Sequence, residues 1–184
     1  MRGIPYISAL LLGVLVVASG CLFKPQPFRG VVSYRDGKVY LKPGRYYNMR
    51  PPYYRVGVLA ADWERMKTRA RTISWHNESY KSSISTDAYC NQSVEGRSLA
   101  SLSGDLITAL DGRRFTEETQ ITLAGRAALR QVVEGSFDGV PVQVDIVVVR
   151  KDGCVFDFYL VSPGNPLPEV VEDFEAFFGG FEYE

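Results

Sequence analysis

The sequence predicts an α+β domain, an antiparallel β-sheet packed against two α-helices. Three observations carry this. From Val56 onward most of the chain alternates apolar and polar residues, the two-residue period of a half-buried strand. Asp-Gly pairs separate several of these runs, which is the turn chemistry of antiparallel hairpins. Only two stretches, 99–110 and 167–178, space their apolar residues as a helix does.

In chain order, Asp36-Gly37 between Val31–Arg35 and Lys38–Leu41 reads as a small hairpin. Ile73 and Trp75 share one strand face, with Thr72, Ser74 and His76 on the other. Ile84, Thr86, Ala88 and Cys90 line one face of the next strand. Ser98 is placed to cap a helix running through Leu110, with Leu99, Leu102, Leu106 and Leu110 as its apolar stripe. Asp111-Gly112 ends that helix. Residues 115–123 and 126–136 form two strands broken near Gly125.

Asp138-Gly139 sets a two-residue turn that pairs Phe137 with Val140, Val133 with Val144 and Leu129 with Val148. At Lys151-Asp152-Gly153 a two-residue turn would place Val148 opposite Asp157. A three-residue turn instead pairs Val148 with Phe156, Ile146 with Phe158 and Val144 with Leu160. Register follows the buried face, so the longer turn is expected. The closing helix starts near Asn165, with Pro166 and Pro168 in or before its first turn. Leu167, Val170, Val171, Phe174, Phe177 and Phe178 are its stripe, and Gly179-Gly180 stops it.

The amino-terminal residues read as an address. Arg2 precedes an apolar run over residues 7–18, and small residues lead to Cys21. Ala18-Ser19-Gly20-Cys21 resembles the lipobox of bacterial lipoproteins, with Ala18 where Leu is preferred. The resemblance implies cleavage before Cys21, a lipid on its thiol, and an envelope location facing the periplasm, with the outer membrane favoured by Leu22. An uncleaved span over residues 4–23 is the competing reading, since ~20 apolar residues suffice.

The expected organisation is a signal peptide at 1–20, a basic tether at 21–55 and the domain at 56–184. The tether mixes Tyr and Pro with Lys and Arg, and only Asp36 opposes the basic charge. Arg45, Tyr46, Tyr47, Arg50, Tyr53, Tyr54 and Arg55 are its candidate surface-binding residues, for anionic headgroups or cell-wall polymer. A plain solvated linker is the rival. The carboxyl end is acidic, with no Lys or Arg after Lys151, so the two ends attract each other.

The three cysteines divide into Cys21 and the pair Cys90 and Cys154. The pair faces inward at strand ends, either as two buried thiols or, in an oxidising compartment, as a disulfide. A bridge would close a loop of roughly 65 residues, about 4 kcal/mol by chain entropy.

Lys+Arg and Asp+Glu are both 21, which gives no basic surplus for nucleic acid. One histidine and no CxxC leave no zinc set. No GxSxG, GxGxxG or P-loop pattern occurs. His76 would need Ser79, Ser82 or Ser83 and an acid beside it to act as a catalytic base, and a surface histidine is the plainer reading. Asp138, Asp145, Asp152 and Asp157 are expected in turns or on a solvated sheet face. No enzyme activity and no cofactor are expected.

Five stretches carry a further resemblance. They are Pro52-Tyr53-Tyr54-Arg55-Val56-Gly57, Ser83-Ile84-Ser85 with Cys90, Ala127-Ala128-Leu129-Arg130, Phe137-Asp138-Gly139-Val140-Pro141-Val142, and Lys151-Asp152-Gly153-Cys154-Val155-Phe156-Asp157-Phe158. From Tyr53 to Phe181 the chain resembles a group of bacterial envelope lipoproteins with a PsbP-like fold. The photosystem II extrinsic protein and a Ran-binding nuclear import factor share that fold. The resemblance implies a binding or assembly role: an accessory module for a protein of an envelope complex, such as a transporter. The alternative is a carrier of small molecules or lipids held between sheet and helices. No ligand residue transfers with it.

Overall fold

A computed structural model describes residues 31–41, 53–67, 72–90, 94 and 96–183. Cys21, Arg45, Tyr46, Tyr47 and Arg50 lie outside these residues. Ten strands and two helices are present among them. The strands are β1 (Val31–Arg35), β2 (Lys38–Leu41), β3 (Tyr53–Arg55), β4 (Glu64–Arg65), β5 (Ile73–Asn77), β6 (Ser82–Cys90), β7 (Asp111–Leu123), β8 (Arg126–Phe137), β9 (Val140–Lys151) and β10 (Cys154–Ser162). The helices are α1 (Leu99–Leu106) and α2 (Pro168–Gly179).

Seven strands form one antiparallel sheet in the order β4-β5-β6-β10-β9-β8-β7, and β1-β2-β3 form a second, small sheet. Turn chemistry sets the registers. Asp36-Gly37, Ala124-Gly125, Asp138-Gly139 and Asp152-Gly153 all take positive φ, the backbone of the tightest hairpin loops. The β8–β9 pairing is the one the sequence predicts, with Phe137 opposite Val140, Val133 opposite Val144 and Leu129 opposite Val148.

The β9–β10 turn differs from expectation. Lys151 pairs directly with Cys154, so Asp152-Gly153 is a two-residue loop and Val148 faces Asp157. The reason is that both faces of the sheet are buried. Val147 and Val149 meet Phe158 and Phe156 on one face, while Val144, Ile146, Val148 and Val155 lie on the other. A contiguous valine run serves two cores, and one-sided pairing rules misread its phase.

The larger core packs α2 and the small sheet on the first face. Val170, Phe174, Phe177 and Phe178 from α2 meet Trp75, Ile84, Phe156 and Phe158. Val39, Leu41 and Tyr54 are fully buried in the same cluster. The stretch read from sequence as tether therefore contributes Val39, Leu41 and Tyr54 to this core, with Tyr34 packed against it. The second core lies under α1, where Leu102 and Ile107 pack on Val133, Val144, Ile146, Val148 and Val155.

Gly57 and Gly180 bring two backbones together. Gly57 N donates to Phe177 O at 2.8 Å, and a methyl at Gly57 would come within 3.0 Å of Phe177 Cα. β3 also meets the residues that follow α2: Arg55 and Glu182 form an antiparallel bridge and an ion pair at 3.7 Å. Cys90 and Cys154 sit opposite each other on β6 and β10 and are bonded as a disulfide. No helix among the described residues is long and apolar enough to cross a membrane.

Candidate functional site: an apolar groove beside the first helix

The groove arises where α1 stops early. Ser98 caps the helix as expected, its side chain accepting from Ser101 N at 3.1 Å. The helix ends at Leu106 rather than Leu110. Gly104 and the β-branched Ile107 and Thr108 have poor helix propensity. The chain instead turns, with Leu110 N donating to Ile107 O at 3.0 Å and Thr108 Oγ1 to Asp105 O at 3.1 Å. Ile107 and Leu110 turn inward and Leu106 is left 36% exposed.

A cavity of about 340 Å³ lies between this turn and the sheet. Leu106, Ile107 and Leu110 form one wall, and Val144, Ile146, Tyr159 and Val161 form the floor. Phe137 and Val142 close one end. The apolar surface continues outside it: Phe137 is 51% exposed and Val140 57%. The volume falls in the range of small-ligand sites, which are largely apolar with a few polar groups. Tyr159 is the one polar lining side chain; burial raises its phenol, while side-chain hydrogen bonds to Thr72 and Ser85 lower it.

Next to that floor lies Asp157, 1% exposed and opposite Asp87 in the β6–β10 ladder. Its Oδ1 has no hydrogen-bond partner, and Ser103 Oγ on the buried face of α1 is likewise unpartnered. Burial, then the charges of Asp87 and Asp105, push its carboxyl well above the ordinary value. The expected solvated position for Asp157 is therefore corrected: the two-residue turn points it into the second core. Asp145 is also buried, because it pairs with a cation on the α2 side. Arg130 Nη2 donates to Asp145 Oδ2 at 2.6 Å and Nη1 to Glu175 Oε1 at 2.6 Å. Burial raises the Asp145 carboxyl, and the hydrogen bond and charge of Arg130 oppose it. Asp138 and Asp152 do occupy exposed turns.

A second cavity of about 470 Å³ lies on the opposite face near the β8–β9 hairpin. It is larger but shallow; of its ionic groups Arg114 and Glu134 pair with each other, and Asp111 is exposed.

His76 does meet a serine and an acid. Its Nδ1 is 3.1 Å from Ser83 Oγ and its Nε2 is 3.2 Å from Glu78 Oε2. His76 and Ser83 are register partners on β5 and β6. The acid is largely exposed and also paired with Lys81, and neither cavity borders the cluster. Acyl-transfer chemistry would also need oxyanion donors and a bound acyl group beside Ser83. The contacts serve to pin the β5–β6 hairpin.

Of the candidate tether residues described, Tyr53 is 37% exposed and stacks near Lys38, and Arg55 is exposed. Tyr54 is corrected: it is fully buried and shares a 2.7 Å hydrogen bond with Thr86. Strand alternation on β3 explains this, since Tyr53 and Arg55 point outward and Tyr54 inward. Among the described residues no group of three or more His, Cys, Asp or Glu is disposed to hold a metal ion. The groove itself was not predicted, because its lining comes from four separate elements.

No protein-family model matches the chain, and no curated protein matches it in sequence. Solved structures resemble it in fold. PsbP (CyanoP) from Synechocystis, 10% identical, aligns over 82% of this chain and 91% of its own with a TM-score of 0.52. A Bacteroides thetaiotaomicron protein, 8% identical, gives a TM-score of 0.51 over 71% of this chain; the match spans 45% of that longer protein. LpqN of Mycobacterium tuberculosis, involved in cell envelope biogenesis, is 15% identical with a TM-score of 0.45, covering 73% of this chain and 86% of LpqN. The fold is PsbP-like.

Proposed function

We propose that the protein is a lipid-anchored envelope lipoprotein that acts as a non-enzymatic binding module, with the groove beside α1 as its binding element. The observation that carries this is the groove and its rim. An apolar cavity of about 340 Å³ continues into exposed Phe137, Val140 and Leu106. Apolar surface that extends beyond its own cavity fits a partner protein that inserts one or two side chains and covers the rest. The partner is expected to be a protein of an envelope complex. The lipobox-like Ala18-Ser19-Gly20-Cys21 supports the anchor, and the Cys90–Cys154 disulfide supports an oxidising compartment.

The test is affinity capture of the full chain from detergent-solubilised envelopes, beside Leu106→Asp and Phe137→Asp. Both positions are partly exposed, so the variants keep the fold. A specific protein recovered with wild type and lost with both variants supports the reading; equal recovery in all three refutes it. Intact mass of the mature chain beginning at Cys21 with added acyl mass checks the anchor.

A second reading is a carrier, favoured by the cavity volume alone. Carriers bury 70–90% or more of their ligand. Native mass spectrometry of the protein released from envelopes, showing one retained apolar molecule displaced by Ile146→Trp, would favour the carrier.

A further inference from the structure

The two edges of the seven-stranded sheet differ. β4 is 2 residues long, which offers almost nothing to pair with. β7 is 13 residues long and exposed along nearly its whole length. Long exposed edges present free N–H and C=O groups to another chain, so proteins shorten them, kink them or charge them.

The charges on β7 are arranged about one residue. Arg113-Arg114 precede Phe115, and Glu117-Glu118 follow it after Thr116. The ladder skips Thr116, since Phe115 pairs with Val133 and Glu117 with Val132. This bulge puts Arg114 and Glu117 on one sheet face and Phe115 and Glu118 on the other. Phe115 is 52% exposed. Arg114 is held by Glu134, and Glu118 accepts from Gln131 Nε2 at 2.6 Å, so β8 fixes where both charges sit. Among the described residues no ion pair engages Arg113 or Glu117.

We propose that β7 is a self-pairing edge, on which a second copy of this chain docks antiparallel about a two-fold axis at Phe115. In that arrangement each Arg113-Arg114 pair faces the Glu117-Glu118 pair of the other copy, and the two Phe115 rings meet at the axis. Opposite charges across strands stabilise such pairs and like charges destabilise them. A parallel docking would set Arg against Arg and Glu against Glu, so the same residues select the antiparallel mode. Edge charges of one sign would repel a second copy; these cancel only against an inverted one. The axis is perpendicular to the sheet, so the two seven-stranded sheets become continuous and both grooves open on the same side. A C2 contact of this kind is isologous and closed, which limits assembly to a dimer.

The experiment is disulfide trapping of the full chain in cells, with Phe115→Cys and, as a control seven residues along, Thr122→Cys. The axis brings position 115 against itself and holds the two copies of position 122 far apart. A linked dimer is expected with Phe115→Cys at no less than about ten times the control. R113E/R114E and E117R/E118R, each added to Phe115→Cys, should abolish linkage by making four like charges face four. Co-expression of these two should restore it as a mixed dimer, a rescue that misfolding does not produce. Linkage no greater than the Thr122→Cys control, or linkage indifferent to charge reversal, would overturn the proposal. So would trapping of a different protein at Phe115→Cys, which would assign the edge to a partner's added strand.

Discussion

Removing the Cys90–Cys154 bridge, as the double variant Cys90→Ala/Cys154→Ala, tests how the two halves of the sheet are held together. The cysteines are separated by 64 positions, a span that contains α1 and strands β7 to β9. In the chain-entropy account, freeing a loop of that length costs about 4 kcal/mol. Both residues are buried, and truncation to Ala adds roughly 1 kcal/mol of lost packing. The sum is a large share of the roughly 5–15 kcal/mol that stabilises a typical domain. Urea denaturation followed by tryptophan fluorescence reads the difference, since Trp63 and Trp75 are both buried. The variant should lose about 4–5 kcal/mol and melt roughly 8–20 °C lower. Its m-value should rise, because the unfolded chain no longer carries a crosslink and exposes more surface. A loss below about 1 kcal/mol with an unchanged m-value would refute the reasoning. It would mean that the β6–β10 ladder alone restricts the chain as tightly as the bond does.

Three further outcomes follow from buried groups and close contacts. Asp157 has a raised carboxyl, so the fold binds its proton more tightly than the unfolded chain does, and stability falls as pH rises from the ordinary carboxylate value through the raised one. Asp157→Asn should match wild type near about pH 3 and melt higher near about pH 8, each unit of displacement being worth about 1.4 kcal/mol; a pH-independent difference in melting scans would contradict this. Arg130→Met leaves the buried Asp145 without its cation and should cost about 3–5 kcal/mol in urea, while Arg130→Met/Asp145→Leu recovers most of the loss; an equally unstable double variant would count against the pairing argument. Gly57→Ala drives a methyl into the backbone of Ala176 and Phe177 and should destabilise by roughly 1–3 kcal/mol, with α2 amides losing hydrogen-exchange protection first.

Turns were the most legible part of the fold. Asp36-Gly37 and Asp138-Gly139 demand left-handed backbone, and that demand fixes hairpin register locally, without knowledge of the core. The stripe of α2 was legible too, because Val170, Phe174, Phe177 and Phe178 repeat at helical spacing and are buried. The Lys151–Cys154 turn was not. Choosing its length required knowing that both sheet faces are covered, and Val147-Val148-Val149 looks the same either way. The buried positions of Asp145 and Asp157 share this cause, since an acidic residue in an alternating strand is read as facing water. The role of Val39, Leu41 and Tyr54 in the core was hidden by the prolines and basic residues around them. Of the candidate site, Leu106 and Leu110 read as a helix stripe and Phe137, Val144 and Ile146 as strand pairs, so each is legible as packing and none as the wall of a groove. A cavity made by a helix ending one turn early depends on small propensity differences at Gly104, Ile107 and Thr108, which tertiary context decides.

The bridge between Arg55 and Glu182 sets an order of events during biosynthesis. The small sheet can pair within itself early, but its seat needs α2 and the residues that follow it, which are synthesised well after it. Until Glu182 has emerged, Tyr54 has neither Phe181 nor the closing backbone hydrogen bonds of Arg55 to pack against. Contacts of such long sequence separation form slowly. The small sheet therefore pairs first and is seated afterwards, in one late step that waits for the residues following α2.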